Sequence, residues 1–152
     1  MSDAAPTSPG RARRIDGHVH LVGNGYGGSG CWLRVKGWWH RPLAEFMLRQ
    51  IGLGGVGLDS PDFDTRYVEH LRELRRTSSL DALVLLAQDE TRDDAGRRIE
   101  FGSFHVPNDY VLALAQQYPE FLPGVSIHPG RPDALEELER CLAGGAALLK
   151  LL

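Results

Sequence analysis

The alternation of hydrophobic and polar residues predicts four strands along this chain of 152 residues. The clearest strand is residues 80–87, which contain the uninterrupted run Ala-Leu-Val-Leu-Leu-Ala. Because a strand without a polar face is buried on both sides, this run is typical of a parallel sheet covered by helices. The other predicted strands span residues 14–21, 121–129 and 146–152.

Helices are predicted between the strands, because apolar residues recur there at intervals of three and four positions. Asp64 and Asn108 are expected to be helix N-caps, and Gly144 is expected at the C′ position where many helices end. The predicted helices span residues 42–51, about 64–76, 108 onward and 132–143.

The order of elements is therefore β-α-β-α-β-α-β, with segments 22–41 and 88–107 expected to be loops. Helix-length crossovers between strands predict parallel pairing in right-handed units, and so an α/β fold. Length and the absence of linker-like composition predict one domain over residues 14–152. The small, polar, proline-rich residues 1–13 are expected to be a disordered lead-in.

Composition and charge narrow the classes of function. A hydrophobic content of 42% and a charged content of 24% are typical of a soluble globular protein. The net charge of −3 gives no electrostatic basis for binding nucleic acid or an anionic membrane. No apolar run approaches the roughly 20 residues of a membrane span. Two cysteines and the lack of a signal-peptide pattern predict a cytoplasmic location.

The candidate chemistry begins in the first strand, where His18 and His20 are two residues apart. Side chains alternate along a strand, so both imidazoles are expected on one face, close enough to bind one metal ion. Asp16 is expected on that face too, either orienting an imidazole or capping the backbone. The alternative is an ordinary surface strand whose polar face meets water. The residues expected on the opposite, apolar face are Ile15, Val19 and Leu21.

Residues 16–21, Asp-Gly-His-Val-His-Leu, resemble the strand-one signature of the amidohydrolase superfamily of metal-dependent (β/α)8 barrels. Segments 124–129 and 144–150 are similar to that family's third and fourth strands. The resemblance implies a parallel (β/α) barrel of the TIM type, with residues 14–152 as its N-terminal half. It also implies that His18 and His20 bind a divalent metal ion, zinc in the first place and manganese or iron otherwise.

The resemblance gives Lys150 a metal role as well, because binuclear members of the family bridge two metals with a carboxylated strand-four lysine. Its leucine neighbours would favour the neutral amine that carboxylation requires. Mononuclear members lack this ligand, so a lysine that simply reaches solvent is the alternative. His128 ends the third strand, where barrel active sites are built, and is expected to contact substrate unless it is a hydrogen-bonded loop histidine. Asp16, Ser126, His128 and Lys150 are expected to open on the same cavity as the two strand-one histidines.

The implied function is a metal-dependent hydrolase that attacks a small-molecule substrate with metal-activated water. A metal-dependent decarboxylase of the same fold is the alternative within the family. Family members supply further histidines and an aspartate from later strands, so no general base is identifiable here. The chain is therefore expected to be a fragment or half-barrel, inactive alone, that needs a homo-oligomeric partner or the missing C-terminal half.

A non-catalytic nucleotide-binding module is the alternative from another class, because residues 23–28 match G-x-G-x-x-G after a strand. That fingerprint requires a helix that begins within the glycines, and no helical pattern starts before Pro42. A loop over the barrel mouth is the favoured interpretation. Its tryptophans, Trp32, Trp38 and Trp39, would then contact substrate or pack the loop down.

Overall fold

The computed structural model describes residues 12–35, 37–93, 95–99 and 103–151, and these form a mixed α/β structure. A four-stranded sheet and a two-stranded ribbon are combined with four helices. In chain order, the elements are β1 (Ile15–His20), β2 (Trp32–Leu33), α1 (His40–Gln50), α2 (Phe63–Thr77), β3 (Ala82–Leu86), β4 (Phe104–His105), α3 (Asn108–Gln117), β5 (Phe121–Ser126), α4 (Ala134–Ala143) and β6 (Leu148–Lys150).

The main sheet is parallel and curled, with the strand order β1-β3-β5-β6. Its neighbours follow one another along the chain, and helices connect them, as the strand–helix alternation predicted. The α/β class is therefore confirmed, and the four long strands and four helices lie within a few residues of their predicted positions. In a parallel sheet of this kind, the carboxyl ends of all four strands reach the same edge.

The core is built around β3, in which all five residues are buried. Leu83 and Leu85 lie in one apolar cluster with Val68 of α2 and Val111 of α3. Burial of a leucine or valine side chain contributes about 1.5–3 kcal/mol, whereas an exposed ion pair contributes about 0–1 kcal/mol. The packing of helices against β3, rather than surface charge, therefore fixes the position of the sheet.

The antiparallel ribbon β2–β4 was not predicted, because both of its strands lie in segments expected to be loops. Trp32 pairs with His105 and Leu33 with Phe104. Strands of two residues are too short to give an alternating pattern, so the sequence carries no signal for them. An isolated antiparallel bridge between Gln88 and Val106 joins the residue after β4 to the chain just beyond β3.

Both predicted N-caps are wrong, because these side chains bind other segments instead. The N-cap positions belong to Asp62 for α2 and Pro107 for α3, and neither makes a side-chain capping bond. Asn108 is the first residue of α3, and its amide accepts the N–H of Ser126 at 2.8 Å and donates to the Ser126 carbonyl at 3.1 Å. Asn108 therefore continues the hydrogen bonding of β5 beyond Gly124, which is the last residue of β5 that pairs with β3.

The end of α4 also differs from expectation, by one residue. Gly144 is the C-cap with a helical φ of −77°, and Gly145 occupies the C′ position with a φ of +91°. The N–H of Gly145 donates to Leu142 and that of Ala146 donates to Cys141, both at 3.0 Å. These two bonds form a Schellman motif, which leads the chain into β6.

Some of the expectations lie outside the described residues, namely positions 1–11 of the proposed lead-in and residue 152 of the fourth strand. None of the helices in the described part of the chain has the length and apolar content of a membrane-spanning segment. Both cysteines are buried and free. Burial raises the pKa of each thiol to about 11, so both are neutral near pH 7 and unsuited to nucleophilic chemistry.

We predict that Asp64→Ala lowers the free energy of unfolding by about 2–4 kcal/mol, measured by urea denaturation. Asp64 is buried, and its carboxylate accepts the backbone N–H of Asn24 at 2.6 Å, the N–H of Gly25 at 3.3 Å and the hydroxyl of Ser29. Truncation leaves these donors without their acceptor in a water-poor site, and each orphaned group costs about 1–3 kcal/mol.

The matched control is Asp59→Ala. Asp59 forms an ion pair with Arg41 in which both side chains are more than half exposed, at 60% and 51%. Its loss should therefore change stability by less than about 1 kcal/mol. Equal losses in the two variants would show that the Asp64 carboxylate does not anchor this loop.

Candidate functional site

The two strand-one histidines face each other at the carboxyl end of β1. Their Nε2 atoms are 3.0 Å apart, and their ring centroids are 4.8 Å apart in an edge-on arrangement. The prediction that His18 and His20 point to one side is confirmed, and the contact between their Nε2 atoms is a hydrogen bond. Their role as metal ligands stays a prediction.

The expected position of Asp16 beside these histidines is wrong, because β1 contains a bulge. Asp16 pairs with Leu83 and Val19 pairs with Leu85, so three residues of β1 span two of β3. The extra residue reverses the alternation, and Asp16 falls on the face of Val19 rather than that of His20. Its Oδ1 accepts the backbone N–H of His18 at 3.0 Å, which is the capping role foreseen as an alternative.

The same bulge moves Ile15 to the face on which His20 lies. Ile15 pairs with Ala82 and His20 pairs with Leu86, which share the alternation of β3. The side chain of Ile15 is 43% exposed there, so it does not join the core as expected. Val19 and Leu21 pack on the apolar side as predicted.

Lys150 ends β6 on the same sheet face as His20. It pairs with Ser126, and the register runs through Gly124 and Leu86 to His20. Its Nζ donates to Oε1 of Gln88 at 2.5 Å. The expectation that Lys150 faces the strand-one histidines rather than the outer helices is therefore consistent with the register.

Electrostatics couple this lysine to the histidine pair. Burial lowers the pKa of His20, and the positive charges of Lys150 and His18 lower it further. Burial also lowers the pKa of Lys150. Both shifts favour the neutral forms, and a neutral imidazole is the form that binds a metal ion.

His128 is held in a local turn. Its backbone N–H donates to Oδ2 of Asp89 at 2.8 Å, and its Nδ1 accepts the N–H of Gly130 at 3.0 Å. This is the hydrogen-bonded loop histidine foreseen as an alternative, and substrate contact by its remaining nitrogen stays a prediction. Ser126 is 1% exposed, and its Oγ has no hydrogen-bond partner among the described residues.

A polar pocket of about 370 Å³ opens near the carboxyl ends of β3 and β5, and sequence reasoning missed it. Its charges form internal pairs: Asp89 lies 3.4 Å from Arg131, while Arg140 contacts Glu137 at 2.8 Å and Asp109 at 2.6 Å. These groups come from separate segments with no common motif, so no local signal could have revealed them. Three acidic side chains and two arginines line the pocket, and both arginines are already paired with carboxylates.

The glycine-rich loop after β1 already binds an anion, the carboxylate of Asp64 from α2. The backbone N–H groups of Asn24 and Gly25, which a phosphate would need, donate to the Asp64 carboxylate. Gly25 has a φ of +81°, and an added Cβ would lie 2.1 Å from the carbonyl oxygen of Cys31. The next helix begins only at His40. These contacts speak against phosphate binding by the loop.

The distance between the two Nε2 atoms is that of a hydrogen bond between the rings, and it is also compatible with two ligands of one metal ion. Nitrogens about 2.0–2.1 Å from a common ion lie about 2.9 Å apart at a right angle and about 3.3 Å apart at the tetrahedral angle. The observed 3.0 Å lies within this range. No group of three or more His, Cys, Asp or Glu side chains that could hold a metal occurs in the described part of the chain.

The chain matches no protein-family model, no curated protein and no solved structure. The resemblance to amidohydrolases therefore stays a prediction that rests chiefly on residues 16–21.

We predict that the His20 imidazole titrates below the ordinary value of 6.5, and that Lys150→Met raises the His20 pKa by removing a positive charge. Histidine ring resonances in an NMR pH titration would report both pKa values. Because the pKa of His20 is lower in the folded chain than in the unfolded one, the unfolded chain binds more protons at pH values near and below 6.5. The free energy of unfolding therefore decreases as the pH falls through that range. Arg66→Met, on the exposed face of α2, is the control, and an unchanged His20 pKa in Lys150→Met would contradict the coupling.

Proposed function

We propose that this chain is part of a metal-dependent hydrolase of the amidohydrolase type, in which His18 and His20 bind a divalent metal ion. The observation that carries the proposal is the 3.0 Å separation of their Nε2 atoms at the carboxyl end of a parallel strand. Burial, together with the nearby positive charges of Lys150 and His18, lowers the pKa of His20 and so favours the neutral imidazole that a metal ion requires.

The strand order supports a barrel as the parent fold. Every parallel neighbour in the main sheet is the next long strand in the chain, without the reversal that characterises doubly wound nucleotide-binding sheets. A curled sheet with helices as crossovers is what the first four βα units of a (β/α)8 barrel would form. Active sites of such barrels lie at the carboxyl ends of the strands, which is where His20 and Lys150 lie.

A divalent ion at this site, zinc in the first place and manganese or iron otherwise, would polarise a carbonyl group and provide an activated water. The chain's own residues prepare the site for it. Asp16 holds the backbone N–H of His18 and so fixes the bulge that carries the two imidazoles. Gln88 holds the amine of Lys150. We infer that Lys150 is a candidate for a third ligand, because it lies on the same sheet face as His20 and burial favours the neutral amine that ligation or carboxylation requires.

We predict that the metal-free chain binds about one equivalent of Zn²⁺, and that His18→Ala and His20→Ala each weaken binding by at least about 100-fold. Loss of an outer-shell partner alone usually costs 10–100-fold in affinity, so loss of a ligand should cost no less. Isothermal titration measures the affinity, and the visible spectrum of the Co²⁺ form reports the coordination geometry.

His70→Ala is the matched control, because His70 is a half-buried histidine on α2, away from the pair. The proposal is overturned if Zn²⁺ does not bind, or if the control weakens binding as much as the two strand-one variants. We expect no ester or amide turnover from this chain alone, because a hydrolytic zinc site usually takes three protein ligands plus water. Metal-dependent hydrolysis would correct that expectation, whereas metal-dependent release of CO₂ would assign the site to a decarboxylase.

A further inference from the structure

The peptide group that joins His20 to Leu21 is held from both sides at the end of β1. The N–H of Leu21 donates to the carbonyl of Leu86, the last residue of β3, at 3.5 Å. The carbonyl of His20 accepts the phenolic hydroxyl of Tyr67 at 3.1 Å. The first bond belongs to the sheet, whereas the second comes from a side chain of α2.

The bond from Tyr67 reaches the free edge of β1. This strand is the first in the order β1-β3-β5-β6, and β3 is its one neighbour in the described part of the chain. Backbone groups of successive strand residues point to opposite edges. Because the N–H of Leu21 points to β3, the carbonyl of His20 points away from it. The hydroxyl of Tyr67 therefore occupies the place that a donor from a further strand would take.

Tyr67 is itself fixed by packing. Its ring stacks on that of Phe63, with centroids 6.3 Å apart and 22° between the ring planes, and Phe63 is 1% exposed. Tyr67 also packs against two apolar clusters, one around β3 and one that contains Leu48 of α1. Burial raises the pKa of the Tyr67 phenol, so the hydroxyl keeps its proton and remains a donor at neutral pH.

The direction of the His20 side chain depends on the backbone that Tyr67 holds. A rotation of the peptide group after His20 would move its imidazole relative to that of His18, and the two Nε2 atoms are 3.0 Å apart. Asp16 holds the backbone of His18 in the same way, through its N–H at 3.0 Å. Ligands of a functional site have to be held within about 0.5 Å of their working geometry, which requires such supports.

We propose that Tyr67 is a positioning residue for the histidine pair, holding the imidazole of His20 against that of His18 through the His20 carbonyl. The inference deepens the proposed function and rests on it for the metal ion that the pair would bind. Tyr67 acts through the backbone of His20 and is not itself a ligand. It makes α2 a support of the site, although Tyr67 and His20 are 47 residues apart in the sequence.

The test is Tyr67→Phe, which removes the hydroxyl and keeps the ring. Isothermal titration should show Zn²⁺ binding weakened about tenfold, at the low end of the 10–100-fold that outer-shell partners usually contribute. The visible spectrum of the Co²⁺ form should shift as well. Tyr118→Phe is the matched control, because Tyr118 is also half-buried against the core, but its ring contacts Arg72 and Phe121.

The ring ¹⁵N resonances of the metal-free chain give a readout that does not need Zn²⁺. Tyr67→Phe should shift the ring resonances of His18 and His20, because the contact between their Nε2 atoms loosens, and should leave those of His128 unchanged. A tyrosine with a merely structural role would lower the urea midpoint of unfolding without moving these resonances or the Zn²⁺ affinity.

The outcomes separate this proposal from the metal site. Unchanged Zn²⁺ affinity in Tyr67→Phe, or an equal loss in Tyr118→Phe, overturns the positioning role and leaves the metal site standing. If the unmodified chain takes up no Zn²⁺, the hydrolase is overturned, and the ring resonances alone decide the role of Tyr67. A shift specific to Tyr67→Phe then supports the positioning role, and unshifted resonances overturn it.

Discussion

Burial of β3 on both faces is the constraint on which the rest of the structure depends. A strand with no polar side chain cannot lie at a surface, so it must have a neighbouring strand at each edge and a cover over its faces. β1 and β5 pair with its two edges, and α2 and α3 supply the apolar cover on one side. Parallel pairing then brings the ends of β1, β5 and β6 to a common edge. The side chains that follow those ends become neighbours although they are far apart in the sequence.

The bulge in β1 decides which side chains reach that common site. In a regular strand, Asp16 would share a face with His20, and Ile15 would be buried against the helices. The extra residue exchanges these two positions and leaves the backbone N–H of His18 without a ladder partner, a role that the Asp16 carboxylate fills. The bulge thus takes Asp16 away from the role of orienting an imidazole and makes it a support for the backbone of His18. Bulges often re-aim side chains next to functional sites, and this one brings two imidazoles to 3.0 Å.

The sequence predicted what depends on periodicity and missed what depends on tertiary contact. The helices follow from intervals of three and four, the pairing of His18 with His20 follows from an interval of two, and β3 follows from an unbroken apolar run. Asp64 and Asn108 were assigned to local caps, because a single sequence does not reveal that their side chains bind residues 24–29 and 126 instead. The bulge leaves no mark on the alternation, and the two-residue strands of the ribbon are too short to produce one. The contact of Gln88 could not be predicted either, because Lys150, which donates a hydrogen bond to its side chain, is 62 residues away in the sequence.

The loop between β1 and the ribbon links the buried Asp64 of α2 to the ring of Phe104. Asp64 holds this loop through the backbone of residues 24 and 25, which sets where β2 begins. β2 in turn pairs with β4, and the Phe104 ring of β4 meets the ring of His20 edge-on. The buried Asp64 carboxylate therefore bears on both the stability of the loop and the position of Phe104 beside His20. The Asp64 carboxylate occupies the N–H groups that a phosphate would need, and through β2 and β4 it helps to place the Phe104 ring beside His20.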